Sequence, residues 1–433
     1  MSTTTQRIIF LGVVFVVVLI VVFAIVFGIK KPKSTKKIDL EFWSVYDNGN
    51  YFTDIIKEYQ RLYPLVTITY VKKAFEDYEK DLISAFAAGK GPDIWSINNT
   101  WLPKHKDKIV PLSPTMMTIQ NFKDSFVDVA FRDLVVGDQI YGLPLFVDTL
   151  ALYWNKDIFQ SSGIAEPPLT WDDFVKDVKI LTKKDDFGNI VRAGAAIGMA
   201  KNINRSTDIL GLLMMQTGTQ MTDPQSNRVI FDKFVSLDGQ PFAAGEEALR
   251  FYTDFANPQK EVYTWNSEMD YSIDAFYQGK TAMMINYSHH IDTIKNKAPY
   301  LNFGVAAIPQ IVGNANSISY AGYWAPTVFI NSKNPGWAWH FIQFMALKNN
   351  ALKYLEASKR PTARRDLVDS QKDKAHLGVF ALQSLTAKSW YQIDNVAIEK
   401  IFADMIESIV FGQSTIRQTI EKSANQINVL YRK

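Results

Sequence analysis

One acid interrupts a long β-rich apolar run. Asp148 lies in Ile140-Tyr141-Gly142-Leu143-Pro144-Leu145-Phe146-Val147-Asp148-Thr149-Leu150-Ala151-Leu152-Tyr153-Trp154. Such a run reads as a strand buried on both faces. A carboxylate inside it is costly unless it is hydrogen-bonded or lines a polar cleft. Two readings follow: a core acid paired with an Arg or Lys, or a cleft acid on a strand that crosses between two lobes. A second acid, Asp47, stands in the loop after the alternating stretch Ile38–Trp43. Brought together in a cleft, Asp47 and Asp148 would supply the pair of carboxylates, about 5–10 Å apart, that glycoside hydrolysis needs. His289 and His290 are adjacent; neighbours on a strand or helix diverge, which serves a metal poorly. The chain has no G-x-G-x-x-G, no G-x-x-x-x-G-K-[ST], no H-E-x-x-H and no G-x-S-x-G, so the phosphate-cradling, zinc-protease and serine-hydrolase motifs are missing.

The elements that must position these residues follow from periodicity. Ile38–Trp43, Val66–Val71 and Asp93–Ile97 read as strands. Between them, Tyr51–Tyr63 and the stretch marked by Tyr78, Leu82, Ile83 and Phe86 carry apolar residues at helical spacing. Pro64 and Gly89 are natural stops. Strand, helix, strand, helix, strand is a doubly wound α/β unit, with ligand sites at the strand C-termini. Asn98, Thr100 and Trp101 follow its third strand as a polar loop with an aromatic in it. Further on, Thr170-Trp171-Asp172-Asp173 reads as a helix start of capping-box type, Lys280–Asn286 as a buried strand, and Ile393–Val410 and Ser414–Leu430 as C-terminal helices.

Composition narrows the class. The length of 433 residues suits two lobes better than one core. Zero cysteines exclude disulfides, a thiolate zinc site and a Cys nucleophile. The net charge of +3 is carried by the first 37 residues, which hold Arg7, Lys30, Lys31, Lys33, Lys36 and Lys37 and no acid. Without these six, 41 of the 47 basic residues stand against 44 acidic ones, and a nucleic-acid partner is not indicated.

The segments YGLPLFVDTLALYWNKDIF, PPLTWDDF and FAAGKGPDIW resemble those of bacterial extracellular solute-binding proteins of family 1, the maltose-binding-protein-like receptors of ABC importers. The resemblance covers roughly Ile38 to Lys433. It implies a two-lobed periplasmic-binding-protein-like α/β fold of type II. Lobe I is expected over 38–148 plus 305–358, and lobe II over 149–304 plus 359–433. The crossings then fall near Asp148, near Val305 and at Lys359–Asp366. A sugar site needs planar polar groups for hydroxyls and aromatic rings for the C–H face. On the family pattern the ligand-binding residues are Trp43 and Asp47 of a W-x-x-x-D match, Asn98, Trp101, Asp148, Trp265, Tyr287, Tyr323, Trp324 and Trp390. Each has a plainer reading as turn or core residue. Tyr287-Ser288-His289-His290 departs from the Gly and Trp many relatives carry there, which leaves that aromatic open. The resemblance implies a sugar or oligosaccharide ligand, permease subunits as partners, no enzyme activity, no cofactor and a monomer. The alternatives are a glycoside hydrolase and a cell-surface adhesion module.

Ile8–Ile29 is an uncharged apolar run spanning about 33 Å at helical rise, enough for a bilayer core of about 30 Å. No A-x-A-like cleavage site follows it. It is expected to be an uncleaved transmembrane anchor, with 30–37 as a polar linker. The lysines after it argue for a cytoplasmic C-terminal side; the resemblance implies the opposite, a globular part outside the cell membrane.

Overall fold

The computed structural model describes residues 36–223, 225–226, 228–313 and 317–431. The expected anchor at 8–29 lies outside them, and among the described residues no helix is long and apolar enough to cross a membrane.

Period-two burial builds the first sheet. In β1 (Ile38–Ser44), Ile38, Leu40, Phe42 and Ser44 point inward, and the residues between them are more exposed. Helix Thr53–Leu62, β2 (Val66–Lys72), helix Phe75–Ala87 and β3 (Ile94–Asn98) follow. β1 pairs in parallel with β2, from Ile38 opposite Val66 to Ser44 opposite Lys72, and with β3. The chain then reaches β4 (Asp148–Thr149) and β5 (Ala151–Asn155), followed by helix Trp171–Leu181. Thr170 caps that helix, accepting from the Asp173 N–H at 3.1 Å. Next come β6 (Lys183–Lys184), β7 (Ile190–Ala195), helix Ser206–Gln216, β8 (Thr281–Asn286) and β9 (Phe303–Ala306). The second sheet runs β9-β5-β8-β7-β6. β10 (Ser319–Gly322) leads into β11 (Trp324–Val328), which returns to the first sheet antiparallel to β3. After β12 (Ala387–Lys388) come helices Asn395–Val410 and Ile416–Leu430. A three-stranded sheet, β12-β10-β4, links the halves, with Gly322 opposite Asp148.

Among the described residues, buried apolar side chains form two cores. One draws on Ile38–Val147, then Ala321–Leu367 and Ala387. The other draws on Leu150–Tyr320, then Phe380 onward. The chain therefore changes core at Asp148–Thr149, again between Tyr320 and Ala321, and a third time between Leu367 and Phe380, after which Ala387 alone returns to the first core. This corrects two expected boundaries. Val305 is not a crossing: β9 pairs with β5, Val305 opposite Tyr153, so the ladder keeps it in the second sheet. Lys359 does not open the second lobe, because Ala363 and Leu367 still pack on the first core.

Candidate functional site: the cleft between the lobes

A cleft of about 630 Å³ lies between the two cores, over the linking sheet. Its first-lobe wall is aromatic. Tyr46 has φ +44°, a left-handed conformation that a bulky residue adopts at a cost of about 1–3 kcal/mol. Its ring stacks on Phe75 at 5.3 Å and meets the edge of Trp324 at 6.1 Å. Tyr46 is 46% and Phe75 43% exposed, and both line the cleft, so these rings stand uncovered. The second-lobe wall carries Tyr287 and Trp390, the latter stacked on Phe402 at 5.7 Å.

Charged groups sit among the rings. The Tyr287 hydroxyl donates to Asp208 Oδ2 at 2.9 Å, and the Arg205 guanidinium lies 5.5 Å from the centre of the Tyr287 ring. Arg205 (φ +62°) directly precedes the buried helix Ser206–Gln216. Burial holds the carboxyls of Asp208 and Glu399 above their usual range; Arg205 opposes the shift in both. Burial also pushes the imidazoles of His289 well below and His290 to about 4, so both are neutral at pH 7. Among the described residues, five Lys or Arg and five Asp or Glu line the cleft. The same residues contain no cluster of three or more His, Cys, Asp or Glu fit for a metal ion.

Asp148 lines the cleft floor and is 2% exposed. Its carboxylate accepts from the Thr149 N–H at 2.9 Å, the Ser288 N–H at 3.0 and 3.1 Å, and the Ser288 hydroxyl at 2.7 Å. Burial raises its pKa to about 6, with the Ser288 hydrogen bonds opposing the rise. It is thus hydrogen-bonded and cleft-facing at once.

Of the ten residues expected in the site, Asn98, Asp148, Tyr287, Tyr323, Trp324 and Trp390 line the cleft, and Trp43, Asp47, Trp101 and Trp265 do not. Trp43 falls on the strand face opposite Leu40 and Phe42, under the Lys73 ammonium at 4.1 Å. Asp47 is turned inward beside left-handed Tyr46; it accepts from the Tyr354 hydroxyl at 2.8 Å and pairs with Arg360 at 2.9 Å. The two carboxylates proposed for a hydrolase therefore do not share the cleft. Trp265 is fully buried in the second core, its N–H taken by Asn202 at 3.1 Å. Trp101 is 4% exposed behind Trp324. Tyr323 reaches the cleft but is 1% exposed, its hydroxyl given to Asp133 at 2.8 Å. Sequence reasoning missed Tyr46, Arg205, Asp208, Arg360 and Glu399, all of which line the cleft. Two had a signal: Tyr46 is in the loop already singled out, and Arg360 is in the expected third connection.

Two α/β lobes joined by several crossings around a polar and aromatic cleft define a two-lobed periplasmic-binding-protein-like fold. Residues 54–380 match the family model described as bacterial extracellular solute-binding protein, and the chain belongs to that family. A binding protein of Brucella abortus is 26% identical over 315 residues, 71% of each chain. A maltodextrin-binding protein of Bacillus subtilis is 25% identical over 319 residues, 71% of this chain and 70% of the relative. Among solved structures, the cyclic alpha-maltosyl-1,6-maltose binding protein of Arthrobacter globiformis aligns with a TM-score of 0.76. That likeness covers 91% of this chain and 99% of the other at 15% identity, and it concerns the fold.

Proposed function

We propose that the chain is an extracytoplasmic receptor that closes its two lobes on a neutral carbohydrate and delivers it to the permease of an ABC importer. The observation that carries this reading is the cleft itself. Its first-lobe wall holds the uncovered rings of Tyr46 and Phe75, Tyr287 and Trp390 line the other side, and its charges balance, five against five. Ring faces suit the weakly apolar C–H faces of a sugar, and ionised side chains make strong hydrogen bonds to hydroxyls. A cleft without net charge suits a neutral polyol better than a uronate or sugar phosphate. Relatives described as maltodextrin-binding support an oligosaccharide.

The ligand contacts in this reading come from Tyr46 and Trp324 on one wall, and Tyr287, Trp390, Arg205 and Asp208 on the other. Closure about the crossing strands of this type II arrangement buries the sugar and brings both lobe surfaces to the permease. The protein works as a monomer, without catalysis or a cofactor; hydrolysis of ATP belongs to another chain. The run Ile8–Ile29 anchors it in the cell membrane, and the residues at 30–37 space the lobes from the bilayer.

Titration calorimetry of the detergent-solubilised full chain against maltotriose, mannotriose, galactobiose, digalacturonate and glucose 6-phosphate tests the reading. Saturable binding of a neutral sugar, recovered unchanged, is the expected result. Release of shorter sugars would point to a hydrolase. Binding of the anionic compounds alone would overturn the neutral-ligand assignment.

A further inference from the structure

Trp101 leaves the expected sugar contacts and takes a different place. It follows β3, and its ring packs edge-to-face on Trp324 at 5.0 Å and lies parallel to Tyr78 at 6.2 Å. It belongs to the first core. Its indole Nε1, however, donates to Asn395 Oδ1 at 2.7 Å. Asn395 begins the helix Asn395–Val410, whose Ile398, Phe402, Met405 and Ile406 lie in the second core. The bond therefore spans the two lobes. One turn further on, Lys104 bridges Glu79 at 2.9 Å and Asp394, the cap of the same helix, at 3.5 Å. That lysine pair is partly exposed and screened by solvent; the Trp101 bond is made by a buried ring.

We propose that Trp101 is a positioning residue: it braces the Trp324 ring from behind and ties it across the lobes to Asn395, holding the closed arrangement without touching the ligand. The inference rests on the reading that the two lobes open and close. When they part, Nε1 and Oδ1 each take water, so the bond counts only in the closed form. A hydrogen bond of ordinary net strength corresponds to about a fivefold change in the ratio of closed to open molecules.

The chain has no cysteine, so dyes can be placed at Lys90→Cys and Gln259→Cys, exposed positions on opposite lobes. Single-molecule energy transfer on the full chain in nanodiscs then reads the short-distance population without any sugar. Trp101→Phe keeps a ring against Trp324 and removes the N–H. Asn395→Ala removes the acceptor from the other lobe and leaves the Trp101–Trp324 packing alone. Each is expected to lower the ratio of short-distance to long-distance molecules about fivefold, and the double variant no further. Urea unfolding midpoints separate this from loss of fold: a merely structural Trp101 shifts the midpoint and leaves the distance distribution unchanged. An unchanged population in both single variants, additive losses in the double variant, or no short-distance population in the parent protein would overturn the proposal. The measurement needs no sugar, so a failure of the carbohydrate reading leaves its result standing.

Discussion

Asp148 and Ser288 hold each other across the floor of the cleft, the carboxylate accepting both the N–H and the hydroxyl of the serine, the latter at 2.7 Å. Asp148 is on the first crossing, and Ser288 follows β8 of the second sheet. The pair fastens the crossing strand to the second lobe. Hydrogen bonds to a charged group contribute about 1.5–3 kcal/mol. Ser288→Ala keeps the N–H contact and removes the hydroxyl. It is expected to lower the unfolding free energy by about 1–2 kcal/mol and to move the Asp148 titration further above its present value. Urea unfolding and carbon-13 NMR of the carboxyl check both; a titration that stays in place would show that the hydroxyl does not stabilise the ionised form.

The same carboxyl makes stability depend on pH. Burial, the dominant cause, lifts the Asp148 pKa from 3.8 to about 6 in the folded protein. Between those values the folded chain keeps the proton and the unfolded chain has lost it. Raising the pH through this window therefore favours unfolding. Asp148 contributes most favourably below pH 4, and that contribution is lost as the pH passes 6. Asp148→Asn cannot ionise, so its stability relative to the parent should improve by about 1–3 kcal/mol between pH 4 and pH 7.5. Equilibrium unfolding of both proteins at the two pH values is the check. A constant difference would place the Asp148 pKa near the usual carboxylate range.

The first lobe was legible because its signals are local. Alternation in β1 and β2, helical spacing between them, and Pro64 and Gly89 as stops need no knowledge of distant partners. Asp148 was legible because an acid in an apolar run has few physical explanations. The second crossing was misplaced because β9 is held by a ladder to β5, some 150 residues earlier in the chain, and nothing local to Val305 records that pairing. The tryptophans divide for the same reason. Trp265 and Trp324 both stand among polar and aromatic neighbours, but the N–H of Trp265 meets Asn202 inside the core, and Trp324 faces the cleft. For Trp43 the signal is local: its parity in β1 is opposite to that of Leu40 and Phe42, and it does not line the cleft.

Asp47 is tied to a residue that lines the cleft. It pairs with Arg360 at 2.9 Å and accepts from Tyr354 at 2.8 Å, while the Arg360 guanidinium lies 4.3 Å from the centre of the Phe146 ring and lines the cleft. Removing one member of a buried pair leaves the other uncompensated, at about 3–5 kcal/mol. Asp47→Ala is therefore expected to lose stability in the empty protein, and affinity only as Arg360 loosens. Replacing both residues, Asp47→Ala with Arg360→Met, should recover part of the stability. Chemical denaturation of the single and double variants decides between roles. A fully stable Asp47→Ala protein that no longer binds sugar would make Asp47 a direct ligand contact.

Trp324 both lines the cleft and packs on the first-lobe core, and substitution separates the two. Its ring is partly exposed to the cleft, and its edges rest on Trp101 at 5.0 Å, Tyr78 at 5.8 Å and Phe75 at 6.2 Å. The exposed face is the part a sugar would cover. About 100 Å² of ring, at about 25 cal/mol per Å², corresponds to roughly 2.5 kcal/mol, or more than tenfold in affinity. The packed edges carry stability instead, since an aromatic pair adds about 0.5–1.5 kcal/mol beyond its buried area. Trp324→Ala should thus weaken sugar binding by more than tenfold and lower the stability of the empty protein by a smaller step, about 1–2 kcal/mol, short of the 3–5 kcal/mol of a wholly buried tryptophan. Trp324→Phe keeps a flat face toward the cleft and should recover most of the affinity. Calorimetric titration and urea unfolding of the two variants give both numbers. Affinity near that of the parent in Trp324→Ala, with a stability loss of the full core size, would remove Trp324 from the ligand surface and assign its ring to the first-lobe core.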